Sequence, residues 1–80
     1  MIEFRITRYG AEYDAEALRK AIDRRGMTTR RAAHQCGMGH QEMERLLNPY
    51  PGRRTHWKTL NRLRKALDLT DEEMKEIWSG

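Results

Sequence analysis

Cysteine, proline and long apolar runs are scarce in this sequence of 80 residues, which has one cysteine, two prolines and no apolar run longer than two residues. One cysteine cannot form a disulfide within the chain, which agrees with a reducing compartment. Apolar runs this short exclude a membrane-spanning helix and the hydrophobic region of a signal peptide. We therefore expect a cytoplasmic protein with no membrane partner.

Catalytic motifs are also missing from the sequence. No glycine-rich phosphate loop follows a strand, and the only serine, Ser79, stands next to the last residue. The adjacent carboxylates Glu72 and Glu73 fit the first turn of a helix, where the helix dipole favours negative charge. We predict no enzymatic activity and no cofactor.

The segment HQCGMGHQE, residues 34–42, raises the alternative of a metal or thiol site, because it holds two histidines and the only cysteine. Zinc requires its ligands to converge at about 2.0–2.3 Å from the ion. On a helix His34 and Cys36 stand about 200° apart around the axis, and His40 lies beyond a turn. We therefore predict no metal site and interpret Cys36 as a small core residue.

The distribution of charge along the chain is the first feature that indicates a function. Residues 24–65 contain eleven Lys or Arg and two acids, 11 − 2 = +9, whereas the whole chain carries +4, so the flanking segments carry −5. A basic centre favours a partner with repeated negative charge, and nucleic acid is the commonest such partner. A solvated arginine-rich surface explains the charge alone equally well.

Apolar periodicity predicts one all-α domain over residues 1–80, with five helices and an N-terminal β-strand. Residues 1–10 form the strand or arm, because apolar and polar side chains alternate strictly up to Gly10. No second strand is apparent to pair with it inside the chain. Residues 14–69 are predicted to form the helical core, and 70–80 the C-terminal helix.

Side chains mark the start of four of the five predicted helices: Asp14, Thr28, Thr55 and the Thr70–Glu73 capping box. The third helix is predicted to begin near His40 and to end where the segment NPYPGRR, residues 48–54, forms a loop. Trp57 and Trp78 fall in phase with apolar neighbours, so we predict both in the core.

The second and third helices are joined by a short segment, residues 36–39. Small Ala32 and Ala33 let the two helices approach, and Gly37 can adopt the positive φ that a tight turn requires. This arrangement predicts a helix-turn-helix, which presents the start of its second helix to a DNA major groove.

Residues 17–69 resemble the Cro-type phage-repressor (XRE-like) helix-turn-helix family of DNA-binding proteins. The resemblance rests on the spacing of small and apolar residues: Leu18, Ile22, Gly26, Met27, Thr28, Ala33, Gly37, Met43, Leu46, Leu60, Leu63 and Leu67. It implies a sequence-specific regulator of transcription, a repressor, that binds double-stranded DNA as a homodimer. It also implies a bacterial or phage-encoded, nucleoid-associated protein, and no small-molecule effector is expected.

The resemblance implies two sets of DNA contacts. Base edges would be read by four residues at the start of the third helix: His40, Gln41, Glu42 and Arg45. Phosphates would be contacted from the second helix, the following loop and the fourth helix: Thr29, Arg30, Arg53, Arg54, Thr55 and Lys58.

Dimerisation has two candidate surfaces. One is the unpaired strand with Ile2, Phe4 and Ile6, and the other is the last helix around Ile77 and Trp78. The main alternative to DNA binding is a protein-interaction module, as in an antitoxin or the partner of an anti-repressor, because Glu42 and Glu44 place carboxylates on the third helix.

Overall fold

The computed structural model describes residues 6–7, 10–51 and 54–78. These residues form three short strands and five helices, in the order β1 (Ile6–Thr7), β2 (Gly10–Glu12), α1 (Ala15–Arg24), α2 (Thr29–Gln35), α3 (His40–Leu47), β3 (Arg54–Thr55), α4 (Trp57–Leu67) and α5 (Asp71–Trp78). The prediction of a mostly helical chain with five helices is confirmed.

Three of the predicted helix caps are confirmed by hydrogen bonds. The Asp14 carboxylate accepts from the backbone N–H groups of residues 16 and 17 at 3.0 and 3.3 Å. The Thr28 hydroxyl accepts from the backbone N–H of Arg31 at 3.1 Å. In the capping box of α5, the Thr70 hydroxyl accepts from the N–H of Glu73 at 3.1 Å, and the Glu73 carboxylate accepts from the N–H of Thr70 at 3.0 Å. Each such cap contributes about 1 kcal/mol.

The start of α4 differs from its prediction. The N-cap is His56, whose Nδ1 accepts from the backbone N–H of Lys58 at 3.2 Å. Thr55, the predicted cap, belongs to β3 and is 1% exposed. Trp57 was predicted to be buried but is 51% exposed. Trp57 is in helical phase with its apolar neighbours, as predicted, but burial along α4 begins only at Leu60.

The N-terminal strand has partners within the chain, so the expectation of an unpaired strand was wrong. β1 pairs antiparallel with β2, where Ile6 lies opposite Ala11. β2 pairs antiparallel with β3, where Glu12 lies opposite Arg54. Strands of two or three residues are too short to show alternation in sequence, which is why the segment ending at Arg54 was interpreted as a loop. Residues 1–5 lie outside the described part of the chain.

The hydrophobic core draws on all five helices and the turns between them: Ala17, Leu18, Ala21, Ile22, Ala32, Ala33, Cys36, Met43, Leu46, Leu47, Leu60, Leu63, Leu67, Leu69, Met74, Ile77 and Trp78. The last two were offered above as dimer contacts. Both are buried within the protomer, so they have no exposed surface for a second copy, and that prediction was wrong.

A buried ion pair joins α1, the end of α4 and the start of α5. The Arg25 guanidinium donates to both oxygens of Glu73, at 2.6 and 2.7 Å, and also to the backbone carbonyls of Ala21, Leu67 and Asp68. The Glu73 side chain is 7% exposed. Arg25, together with the N–H and hydroxyl of Thr70, outweighs the burial and lowers the pKa of Glu73 to about 2. The sequence indicated the cap but not this pair.

Candidate nucleic-acid interface

Helix α3 has one buried and one exposed face. Met43, Leu46 and Leu47 pack into the core. Its exposed residues are Gln41, Glu42, Glu44 and Arg45, and Asn48 caps its C-terminus. Gln41 and Arg45 are four residues apart, so they are neighbours along one ridge of the helix. Together with Glu44 and Asn48 they line an open groove on the surface.

The turn between α2 and α3 is closed by backbone hydrogen bonds. Gly37 has φ of +66°, and its N–H donates to the carbonyl of His34 at 3.0 Å, while the N–H of Met38 donates to Ala33 at 3.0 Å. A side chain at Gly37 would strain the backbone in this left-handed conformation. The predicted positive φ is confirmed, and so is the close packing through Ala32 and Ala33, both of which are buried.

The C-terminal end of α3 is held by two side chains from the preceding part of the chain. The Tyr13 hydroxyl donates to the carbonyl of Leu46 at 2.6 Å. Arg19, on α1, donates to the carbonyl of Leu47 at 3.2 Å and to the side-chain oxygen of Asn48 at 3.3 Å. These bonds satisfy carbonyls that a helix end leaves without intrahelical partners. They fix the position of α3 relative to α1.

The acids on the exposed face of α3 have basic neighbours. Nε2 of His40 lies 3.3 Å from Oε1 of Glu44, one helical turn away, and forms an ion pair when the imidazole is protonated. Glu42 borders a small depression that is also lined by Arg54 and His56, from the segment that leads into α4. The negative charge of α3 is therefore adjacent to positive or protonatable groups on both sides.

The four residues predicted to read bases, His40, Gln41, Glu42 and Arg45, lie together on α3. His40 is partly exposed and the other three are exposed. The structure thus brings the set that the resemblance implies to one short helix. The assignment of base contacts to these residues stays a prediction.

The residues predicted to contact phosphates are less uniform. Arg30 and Lys58 are exposed, and Thr29 is partly exposed at the start of α2. Arg54 is exposed and lies 3.4 Å from the Glu12 carboxylate across the β2–β3 pair. Thr55 was wrong as a phosphate contact, because its hydroxyl is buried.

Several predicted residues cannot be compared with the structure. Arg53, Ile2 and Phe4 lie outside the described residues, and so does the side chain of Ile6. The backbone of Ile6 belongs to β1, which is an edge strand of the three-stranded sheet.

Tyr13, Arg19 and the Arg25–Glu73 pair were missed by the sequence reasoning. Neither Tyr13 nor Arg19 was singled out in the sequence. Their partners lie 28 to 48 residues away in the chain, so no local pattern marks them. The one general indication was that the hydroxyl of a half-buried tyrosine usually finds a hydrogen-bond acceptor.

Cys36 lies in the core, as predicted. Burial raises the pKa of its thiol, and the nearby Arg62 offsets part of that effect. Among the described residues no three His, Cys, Asp or Glu side chains are grouped closely enough to hold a metal ion. Within the same residues, no helix has the length and apolar character needed to cross a membrane.

Comparison with protein-family models, with curated proteins and with solved structures gave no match for this chain. The features of the molecule that bear on function are the geometry of the α2–α3 unit, the exposed side chains of α3 and the charge of the surrounding segments.

Proposed function

We propose that this chain is a sequence-specific double-stranded DNA-binding regulator of transcription, a repressor that uses α2 and α3 as a helix-turn-helix. The observation that carries the proposal is the exposed face of α3, where Gln41, Glu42 and Arg45 lie together while the opposite face is buried. A helix of eight residues is about 12 Å long, and a B-DNA major groove of about 12 Å admits a helix.

The side chains of α3 have the chemistry that base reading requires. Arg45 can donate two parallel hydrogen bonds to guanine, and Gln41 can pair with adenine through its amide. Glu42 can accept from the amino group of cytosine, and His40 can donate to guanine or to a phosphate. Arg45 and Gln41 share a ridge, so they would contact neighbouring base pairs.

Contacts to the DNA backbone would come from either side of α3. Arg30 and Thr29 precede it on α2, and Arg54 and Lys58 follow it around the start of α4. These residues would fix the register of the protein on the duplex without reading sequence. We expect each lysine or arginine that contacts a phosphate to add to the salt dependence of binding.

The proposal includes a homodimer on a near-palindromic operator, because one domain of this size offers only a small interface to DNA. It places the protein in the cytoplasm of a bacterium. The edge position of β1 supports the N-terminal segment as the dimer contact, since an edge strand carries unpaired backbone groups. If this is right, deletion of residues 1–8 halves the mass in solution, and an unchanged mass would exclude that segment.

The function is tested by selecting 20-bp duplexes from a random library with the purified chain and then titrating the recovered duplex at several salt concentrations. We expect log K to fall linearly with log salt, with a slope corresponding to several phosphate contacts. Arg30→Ala should reduce this slope by about one. Lys75→Ala, on α5, is the matched control and should leave it unchanged.

The carboxylates of Glu42 and Glu44 on the exposed face of α3 favour a second candidate function, a protein-interaction module. It predicts a different result in the same experiment. No duplex would be enriched, or the affinity would be independent of salt.

A further inference from the structure

Only two large hydrophobic side chains are exposed in the described part of the chain: Tyr50 at 69% and Trp57 at 51%. Trp57 is the first residue of α4, and its ring stacks on the imidazole of His56, with the ring centroids 5.9 Å apart and the planes inclined by 29°. The indole of Trp57 therefore remains half exposed to solvent, next to the imidazole of His56. The core does not use this indole, unlike that of Trp78.

The chain around the aromatic pair is positively charged. Residues 45–67 contain seven Lys or Arg and no Asp or Glu. Lys58, which follows Trp57 in the chain, is exposed, and so is Arg54, two residues before His56. An exposed apolar ring in a segment rich in cations is complementary to a surface in which apolar rings alternate with negative charges.

One member of the aromatic pair, His56, also lies beside α3. His56 and Thr59 line the same depression as Glu42 and Leu46 of α3. A rod-shaped ligand that contacts α3 at Glu42 would therefore pass close to His56, and the ring of Trp57 is stacked on His56.

We propose that Trp57, stacked on His56, packs against the deoxyribose–phosphate backbone that flanks the base pairs contacted by α3, while Lys58 pairs with a phosphate of the same strand. This inference rests on the proposed DNA-binding function. The deoxyribose ring presents C–H groups to the indole, and the adjacent phosphate presents its charge to the ammonium group. The contact would be independent of base sequence and would position α3 in the groove.

The two tryptophans allow a direct test, because Trp57 is 51% exposed and Trp78 is 1% exposed. Quenching of the intrinsic fluorescence by acrylamide would be measured for the free chain and for the chain saturated with the duplex recovered by selection. Trp57→Phe, which keeps only the buried Trp78, is the reference. We expect the quenching constant of the complex to fall from that of the free chain to that of Trp57→Phe.

Affinity gives the second readout. Trp57→Ala should weaken binding of the selected duplex and of an unrelated duplex by the same factor, roughly tenfold, since the contact reads no base. Lys58→Ala should lower the salt slope by about one, whereas Lys75→Ala should not change it.

The outcomes separate this inference from the function on which it rests. If the wild-type chain binds no duplex, both are overturned. If it binds the selected duplex while Trp57 stays as accessible to acrylamide as in the free chain, the inference is overturned and the DNA-binding function stands. The inference is also overturned if Trp57→Ala leaves the affinity for both duplexes unchanged.

Discussion

Two carboxylates, Glu73 on α5 and Glu44 on α3, illustrate how differently this small domain uses charge. Glu73 is 7% exposed and is held by the guanidinium of Arg25 at 2.6 and 2.7 Å and by the capping hydrogen bonds of Thr70. The side chain of Glu44 is 55% exposed, and its Oε1 lies 3.3 Å from Nε2 of His40. The first ion pair connects three helices, whereas the second lies along one turn of α3.

This difference indicates that the stability of the fold depends much more on the buried ion pair than on the exposed one. A charge pair that is removed from solvent is costly to break, because the remaining partner is left buried without compensation. An exposed pair contributes little to folding because water competes with it. Charged residues on the exposed face of α3 can therefore be available to a ligand without determining whether the chain folds.

The largest expected effect on stability is that of the buried carboxylate, Glu73. Glu73→Ala leaves the Arg25 guanidinium without its carboxylate and removes one half of the capping box, so we expect a loss of about 3 kcal/mol in the free energy of unfolding. Urea denaturation measures it. Glu76→Ala is the matched control, because that carboxylate is 53% exposed and pairs with Arg24 at 3.4 Å; its change should be within about 0.5 kcal/mol. Equal losses in the two variants would show that Glu73 is no more important than a surface acid.

The pH dependence of stability should follow from the same residue. The pKa of Glu73 is lowered to about 2 in the folded chain from an ordinary value of 4.5. The contribution of its charged form is therefore fully present above about pH 4.5 and is lost as the pH falls towards 2. We expect wild type to lose on the order of 2–3 kcal/mol over this range beyond the loss of Glu73→Gln. Parallel stability curves for the two chains would contradict the assignment.

A smaller effect is expected at Tyr13, which lies just before α1 and bonds to the end of α3. Tyr13→Phe removes the hydroxyl that donates to the carbonyl of Leu46 at 2.6 Å and leaves the ring in place. We expect a loss of about 1 kcal/mol in stability and faster amide hydrogen exchange in the last turn of α3. Protection in α5 should fall only by the global change. If α3 and α5 lose protection equally, the hydroxyl stabilises the whole domain and has no specific effect on α3.

The smallest effect on stability is expected for the exposed carboxylate, Glu44. Glu44→Gln removes one charge from α3 and should change the free energy of unfolding by less than about 0.5 kcal/mol. It should raise the affinity for duplex DNA a few-fold, roughly two- to threefold at low salt, because a negative charge near the phosphates is lost. Glu76→Gln on α5 removes the same charge elsewhere. If both variants gain affinity equally, the effect is one of net charge.

The sequence predicted those features whose causes lie within a few residues. The caps at Asp14, Thr28 and Thr70, and the positive φ of Gly37, depend on groups at most four positions away. Apolar periodicity located the buried face of α3. These signals are local because helices are built from hydrogen bonds between near neighbours.

The features that sequence reasoning missed depend on distant parts of the chain. Tyr13 bonds to a carbonyl 33 residues away, and Arg25 pairs with a carboxylate 48 residues away. β3 exists only because β2 is beside it. Trp57 has the phase of a core residue, and its exposure follows from where the core ends along α4, which periodicity does not specify.

The central claim is that Arg45 on α3 reads a base, whereas Lys58 at the start of α4 contacts only the backbone. The most direct measurement is the affinity of Arg45→Ala and Lys58→Ala for the selected duplex and for its single-base-pair variants. Arg45→Ala should cost about 1–3 kcal/mol and abolish the preference at one base pair, whereas Lys58→Ala should weaken all the duplexes alike. If the two variants lose affinity uniformly across all the duplexes, α3 does not read sequence through Arg45, and the claim is contradicted.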